Sequence, residues 1–100
     1  MGLSNDGTVV KKLFDSGVDG SSLNSLGEKT ISHNLNVVPS VVIAVKQFES
    51  GAPIHAQTFG ETCEVLRGSL TNTTFDVRLC DRLGGPLSNL FRTVYFIVLA

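Results

Sequence analysis

The stretch Lys29–Phe48, KTISHNLNVVPSVVIAVKQF, decides the fold class. Its first part alternates. Thr30, Ser32 and Asn34 fall on one face of an extended chain, and Ile31, His33 and Leu35 fall on the other. A period of two that includes β-branched residues is the pattern of a half-buried strand. Pro39 removes a backbone donor and holds Val38 extended, so a turn is expected around it. Val41–Val45 (VVIAV) is apolar at every position. A strand with one wet face should alternate. This one is therefore expected to be covered twice, by the core on one side and by another element or subunit on the other.

The C-terminal segment Phe91–Ala100, FRTVYFIVLA, repeats that feature. Val94, Phe96 and Val98 share one face, and Tyr95, Ile97 and Leu99 share the other. Between the two apolar strands lies a hairpin pattern, Thr62–Arg67 and Thr73–Asp81, with Gly68–Asn72 at the turn. A turn centred between Thr71 and Asn72 sets Leu66 opposite Val77, Glu64 opposite Leu79 and Arg67 opposite Asp76. Opposed charges of this kind help to fix register. Phe75, Val77 and Leu79 then form an inward row, and Cys63 meets Cys80 on the outer face. The two thiols are expected to be free, because adjacent strands seldom supply disulfide geometry.

The remaining segments read as connections and one weak strand. Ser50–Pro53 is a loop, Ile54–Phe59 a weak strand, and Asp81–Leu90 the largest loop, with Gly84-Gly85-Pro86 at its tip. Any helix is confined to a turn within 21–26 or 86–91. In residues 1–26, rich in Gly and Ser, Thr8–Phe14 suits an edge strand. Asp15–Gly17 and Asp19–Ser22 are turn chemistry. Strands spaced by Gly and Pro indicate an all-β protein, an antiparallel β-sandwich of about six or seven strands. The expected organisation is a flexible N-terminal arm or edge strand over 1–26 and a sandwich domain over 27–100.

The composition narrows the function classes. Of 100 residues, 42% are hydrophobic and 17% charged, with net charge −1. The apolar fraction excludes general disorder. A charged fraction below the usual ~25% suggests that part of the surface is covered by something else. The neutral balance argues against nucleic acid, which calls for a basic field. No apolar run is long enough to span a bilayer as a helix. The opening MGLSNDGTVVKK lacks a signal-peptide apolar run, and Asp6 stands where myristoylation wants Ser or Thr. The expectation is a soluble chain made in a cytoplasm, with reduced thiols and no membrane insertion.

No constellation for chemistry is visible. His33 and His55 form no ligand spacing with Cys63 or Cys80, so neither metal nor cofactor is expected. Gly84-Gly85 lacks the lysine and the strand–helix context of a phosphate loop. The chain is therefore not expected to be an enzyme. The charges of Asp76, Arg78, Asp81 and Arg82 cluster near one edge. They read first as a solvated face, and alternatively as a patch that binds a partner or a glycan.

Three stretches together carry a resemblance: KTISHNL (29–35) followed by Pro39 and an apolar strand, TTFDVRLCD (73–81) leading into the Gly-Gly-Pro loop, and the terminal VYFIVLA. Over about residues 27–100 the chain resembles the small β-sandwich modules of tailed-phage virions, found in tail fibres, tail tips and head-decorating proteins. Some of these are similar to H-type lectins, which are trimeric six-stranded sandwiches that bind sugars at subunit edges. The resemblance implies a virion structural protein, a homo-oligomeric module, expected as a trimer, that decorates or cements the capsid or a tail appendage. Its partners would be other virion proteins, and it would be located in the virion after assembly in the host cytoplasm. Taken as a free-standing unit from Met1, it suits decoration or cement better than a fibre tip. The subunit interface is expected at Val42, Ala44, Tyr95, Ile97 and Leu99. The alternative is a lectin-like receptor-binding module that recognises a host-surface glycan. The absence of Trp, and the need for Phe in the core, favour the structural role.

Overall fold

The computed structural model describes residues 13–47 and 60–100. The expected loop Ser50–Pro53, the strand Ile54–Phe59 with His55, and most of Thr8–Phe14 lie outside these residues. The described residues form six strands: β1 (Phe14–Ser22), β2 (Glu28–Ser32), β3 (Val41–Lys46), β4 (Thr62–Leu66), β5 (Thr74–Cys80) and β6 (Phe91–Leu99). They make two antiparallel three-stranded sheets, with strand orders β1-β6-β3 and β2-β5-β4. The protein is thus all-β, as its alternation and turn chemistry predict.

The inner faces of the two sheets share one apolar core. Ile31, Phe75, Val77 and Leu79 enter it from one sheet, and Val94, Phe96 and Val98 from the other, with Leu23, Leu35 and Leu87 closing its ends. Phe75 and Phe96 meet edge to face, with ring centroids 5.5 Å apart, and so join the two layers. The inward row Phe75, Val77, Leu79 is fully buried, and Ile31, His33 and Leu35 point inward together.

The stretch 29–48 is divided between the sheets rather than folded as one hairpin. β2 lies in the β2-β5-β4 sheet and β3 in the β1-β6-β3 sheet. Residues 33–40 carry the chain across. His33 N–H extends the pairing by donating to the Thr73 carbonyl, and Asn36 turns the chain with φ of 61°.

Residues 15–22 differ from expectation. Their Asp, Gly and Ser residues suggest turns, yet β1 pairs with β6 without interruption from Phe14↔Leu99 to Ser22↔Phe91. Tertiary contacts override local propensity here. On the inner side Asp19 meets Lys29, and Asp15 accepts from Asn34 N–H at 2.8 Å. Gly17 lets the Phe96 ring lie against the backbone, where a Cβ would come within 3.0 Å of that ring. The turn between β1 and β2 is built by Asn24, whose side-chain Oδ1 accepts from Leu26 and Glu28 N–H. Gly27 completes the turn at φ of 73°, and a Cβ there would sit 2.6 Å from the Leu79 carbonyl oxygen.

The β4–β5 register is corrected by one residue. Cys63 faces Leu79, Glu64 faces Arg78, Val65 faces Val77 and Leu66 faces Asp76. The connection is longer and more structured than a simple turn. A single 3₁₀ turn spans Arg67–Ser69, where the Ser69 hydroxyl accepts from Asp76 N–H at 2.7 Å. The Thr71 hydroxyl accepts from Thr73 and Thr74 N–H. A one-residue slip exchanges the faces of a strand. Cys63 is therefore turned toward the core and Cys80 lies on the outer face. The cysteines are not cross-strand neighbours, and both are free thiols.

Burial pushes the Cys63 thiol up to about 11, against a smaller opposing effect of the Lys29 charge. At pH 8 its thiolate fraction falls by roughly 100-fold relative to an ordinary cysteine. Iodoacetamide should therefore label Cys63 about 100-fold more slowly in the folded protein than in urea, as read by peptide mass spectrometry. Equal rates in the two states would contradict the inward placement.

Candidate functional site: an uncharged apolar face on the β1-β6-β3 sheet

Among the described residues, neither apolar strand is covered on both sides. In β6, Val94, Phe96 and Val98 are buried, whereas Tyr95, Ile97 and Leu99 point outward. In β3, Val42 and Ala44 pack against the core, and Val41, Ile43 and Val45 point outward. The expected interface residues thus divide. Tyr95, Ile97 and Leu99 lie on an exposed face. Val42 and Ala44 do not, and their places on that face belong to Val41, Ile43 and Val45.

The pairing register assembles these residues into rows. Phe14, Leu99 and Val41 lie side by side, then Ser16, Ile97 and Ile43, then Val18, Tyr95 and Val45. Phe91 extends the face, its ring lying over Gly20. The nine large apolar residues of this face are 37–59% exposed. The other outward positions are Ser16, Gly20, Ser22 and Thr93, so the outer face of these three strands carries no charged side chain.

The charges of the same strands face inward, and those of Asp19, Lys46 and Arg92 are paired at one end of the core. Arg92 holds Glu61 with two hydrogen bonds, Nε to Oε1 and Nη2 to Oε2, each 2.9 Å, and its Nη1 donates to the Phe91 carbonyl at 2.8 Å. Lys46 Nζ lies 3.4 Å from Glu61 Oε1 and donates to the Gln47 carbonyl at 2.8 Å. Lys29 Nζ reaches from β2 across to β1 and β6. It donates to the carbonyls of Asp19 at 3.0 Å and Arg92 at 2.6 Å, and meets the Asp19 carboxylate at 2.8 Å. Buried charges persist only when paired and hydrogen-bonded in this way. Sequence reading singled out none of these residues. A signal was nonetheless present, because Lys29, Lys46 and Arg92 sit in phase with the apolar inward positions of their strands.

Burial raises the Asp19 carboxyl, but hydrogen bonds from Lys29 and Ser21 and the Lys29 charge outweigh it, so Asp19 titrates below its ordinary value. A carboxyl depressed on folding stabilises the native state above its unfolded value, and that stabilisation disappears as the pH falls through the folded value. Wild-type stability should therefore decline below about pH 4, and Asp19→Asn should flatten this decline in acid-titrated urea melts. An unchanged slope would remove Asp19 from the acid response.

The charged cluster expected near one edge is mostly occupied with internal contacts. Asp76 accepts from the Thr30 hydroxyl at 2.7 Å. Arg78 Nε donates to the Leu26 carbonyl at 3.4 Å and lies 3.9 Å from Glu28. The Asp81 carboxylate accepts from Leu83 and Gly85 N–H and so shapes its own loop. Arg82 stands in that loop with its side chain beside Gly60. His33 accepts from Leu35 N–H at Nδ1, so its proton lies on Nε2, which faces the Thr71 carbonyl at 3.1 Å.

A cleft of about 380 Å³ opens between the edge strands β1 and β2, lined by Asp15, Gly17, Asp19, Ile31, His33 and Asn34 among others. It is bounded by the Lys29–Asp19 pair and by the Asn34–Asp15 hydrogen bond. Among the described residues no helix is long and apolar enough to cross a membrane. No family model, curated protein or solved structure matches the chain.

Proposed function

We propose that this chain is a structural protein that acts as one piece of an assembly, specifically a homo-oligomeric module, expected as a trimer, that decorates or cements a phage capsid or tail appendage. The observation that carries the structural part of this reading is the outer face of the β1-β6-β3 sheet, which is apolar and uncharged while the charges of these strands turn inward. An apolar face of this extent marks a contact surface rather than a surface exposed to water. The phage part rests on the sequence resemblance over residues 27–100, and the two three-stranded sheets suit the small sandwich that it implies.

The structural role is preferred to glycan binding because Asp76, Arg78 and Asp81 are engaged within the chain. Purification of virions on a density gradient, followed by peptide mass spectrometry, tests the proposal. The chain is expected in the particle band at a fixed multiple of the major capsid or tail proteins. Recovery from the soluble lysate alone would overturn it.

A further inference from the structure

We infer that the outer face of the β1-β6-β3 sheet is covered by a second copy of this chain. The inference rests on the assembly reading above and names the partner of that face. Area is the first argument. At on the order of 150–250 Å² for each of the aromatics and somewhat less for each Val, Ile and Leu, the nine outward residues, 37–59% exposed, present roughly 800 Å². The largest apolar patch of an ordinary monomer is ~300–600 Å², and a standard protein interface takes ~800 Å² from each partner. The face therefore has the size of one side of a complete interface.

Charge is the second argument. No outward position of β1, β3 or β6 is charged. A partner that brought Lys, Arg, Asp or Glu to this face would leave those charges buried without a counterpart, at a cost of several kcal/mol. A lipid surface is matched by a basic polar rim around an apolar face, and these outward rows contain no Lys or Arg. A second copy brings the same uncharged face and strands no charge. Tyr95 and Ile97 lie on the central strand, so they fall inside the contact whether two copies meet face to face or three close around an axis along β6.

Light scattering on the full chain at tens of micromolar, coupled to size exclusion, tests this. The wild type is expected at an integral multiple of its 10.7 kDa. Ile97→Asp should run as a folded monomer with an intact strand circular dichroism spectrum, its dissociation constant raised by at least about 100-fold. Ile43→Thr keeps the β-branched backbone preference of its strand and should raise the dissociation constant by about tenfold. It decides the matter if Ile97→Asp does not fold. Thr62→Glu, on the opposite sheet, should leave the mass unchanged.

An oligomer that persists in both face variants would overturn this inference while leaving the assembly reading to the virion experiment. A monomeric wild type would overturn it as well. So would flotation of the wild type with phosphatidylcholine–phosphatidylglycerol vesicles that is lost in the face variants.

Discussion

Glu61→Ala is expected to destabilise the protein by about 3–5 kcal/mol, the cost of removing one partner from a buried ion pair. The Glu61 side chain is only 1% exposed, and it receives two hydrogen bonds from Arg92 and the charge of Lys46. Arg92 and Lys46 are themselves nearly buried, at 10% and 7%. Removal of the carboxylate leaves two cations close together in a medium that solvates them poorly. Bidentate, charge-assisted bonds of this geometry are also stronger than neutral ones. A domain of this size holds only about 5–15 kcal/mol in total, so the variant should approach unfolding at room temperature. Lys46→Met on the Glu61→Ala background should recover about 1–2 kcal/mol, because it removes a repelling charge and keeps an apolar stem. Urea melts of the single and double variants measure both effects. A loss below about 1 kcal/mol for Glu61→Ala would mean that water reaches this end of the core.

Phe75→Ala is expected to cost about 3–5 kcal/mol and to lower the urea midpoint without a change in slope. The ring is fully buried. It contacts Phe96 edge-on at 5.5 Å, with the planes 70° apart, and lies 6.3 Å from His33 at 30°. Truncation therefore removes the aromatic contact between the sheets and leaves a cavity that neither sheet can close alone, since each is held by its own strand ladder. Phe75→Leu retains most of the volume and should cost less than about 2 kcal/mol. If the two variants were equally destabilised, the loss would lie in the aromatic contact rather than in the cavity.

Much of the strand content was legible because alternation is a local property. Ile31, His33 and Leu35 separate from Thr30, Ser32 and Asn34 by a period of two, and the structure buries the first set and exposes the second. The row Phe75, Val77, Leu79 was legible for the same reason. The β4–β5 register was not. Ser69 and Thr71 bond to backbone N–H groups across the connection and lengthen it by a 3₁₀ turn, and no hydrophobic pattern encodes that bond. The strand Phe14–Ser22 was also hidden, because Asp, Gly and Ser favour turns locally and form a strand here only through contacts with Lys29, Asn34 and Phe96.

The candidate interface was legible by half. Two strands apolar on both faces pointed to a covered surface, and Tyr95, Ile97 and Leu99 share the outward face of β6. For β3, alternation defines two faces but not which one meets the core, since valine and isoleucine suit either. The pairing of β3 with β6 makes that choice. It fixes Ala44 beside Phe96 and Ile43 beside Ile97, so Val42 and Ala44 turn inward and Val41, Ile43 and Val45 turn outward.

By itself, then, the sequence determined an all-β chain with two strands too apolar for water, because periodicity and hydropathy act between near neighbours. The tertiary structure decided that both strands lie in one sheet and that their outward rows join Phe14 and Val18 into a single face. It also decided that Lys46 and Arg92 of that sheet meet Glu61, and that its Asp19 meets Lys29 of the other sheet, on the inner side. Those outcomes depend on which strands pair and in what register, and pairing is settled by contacts between residues far apart in the chain.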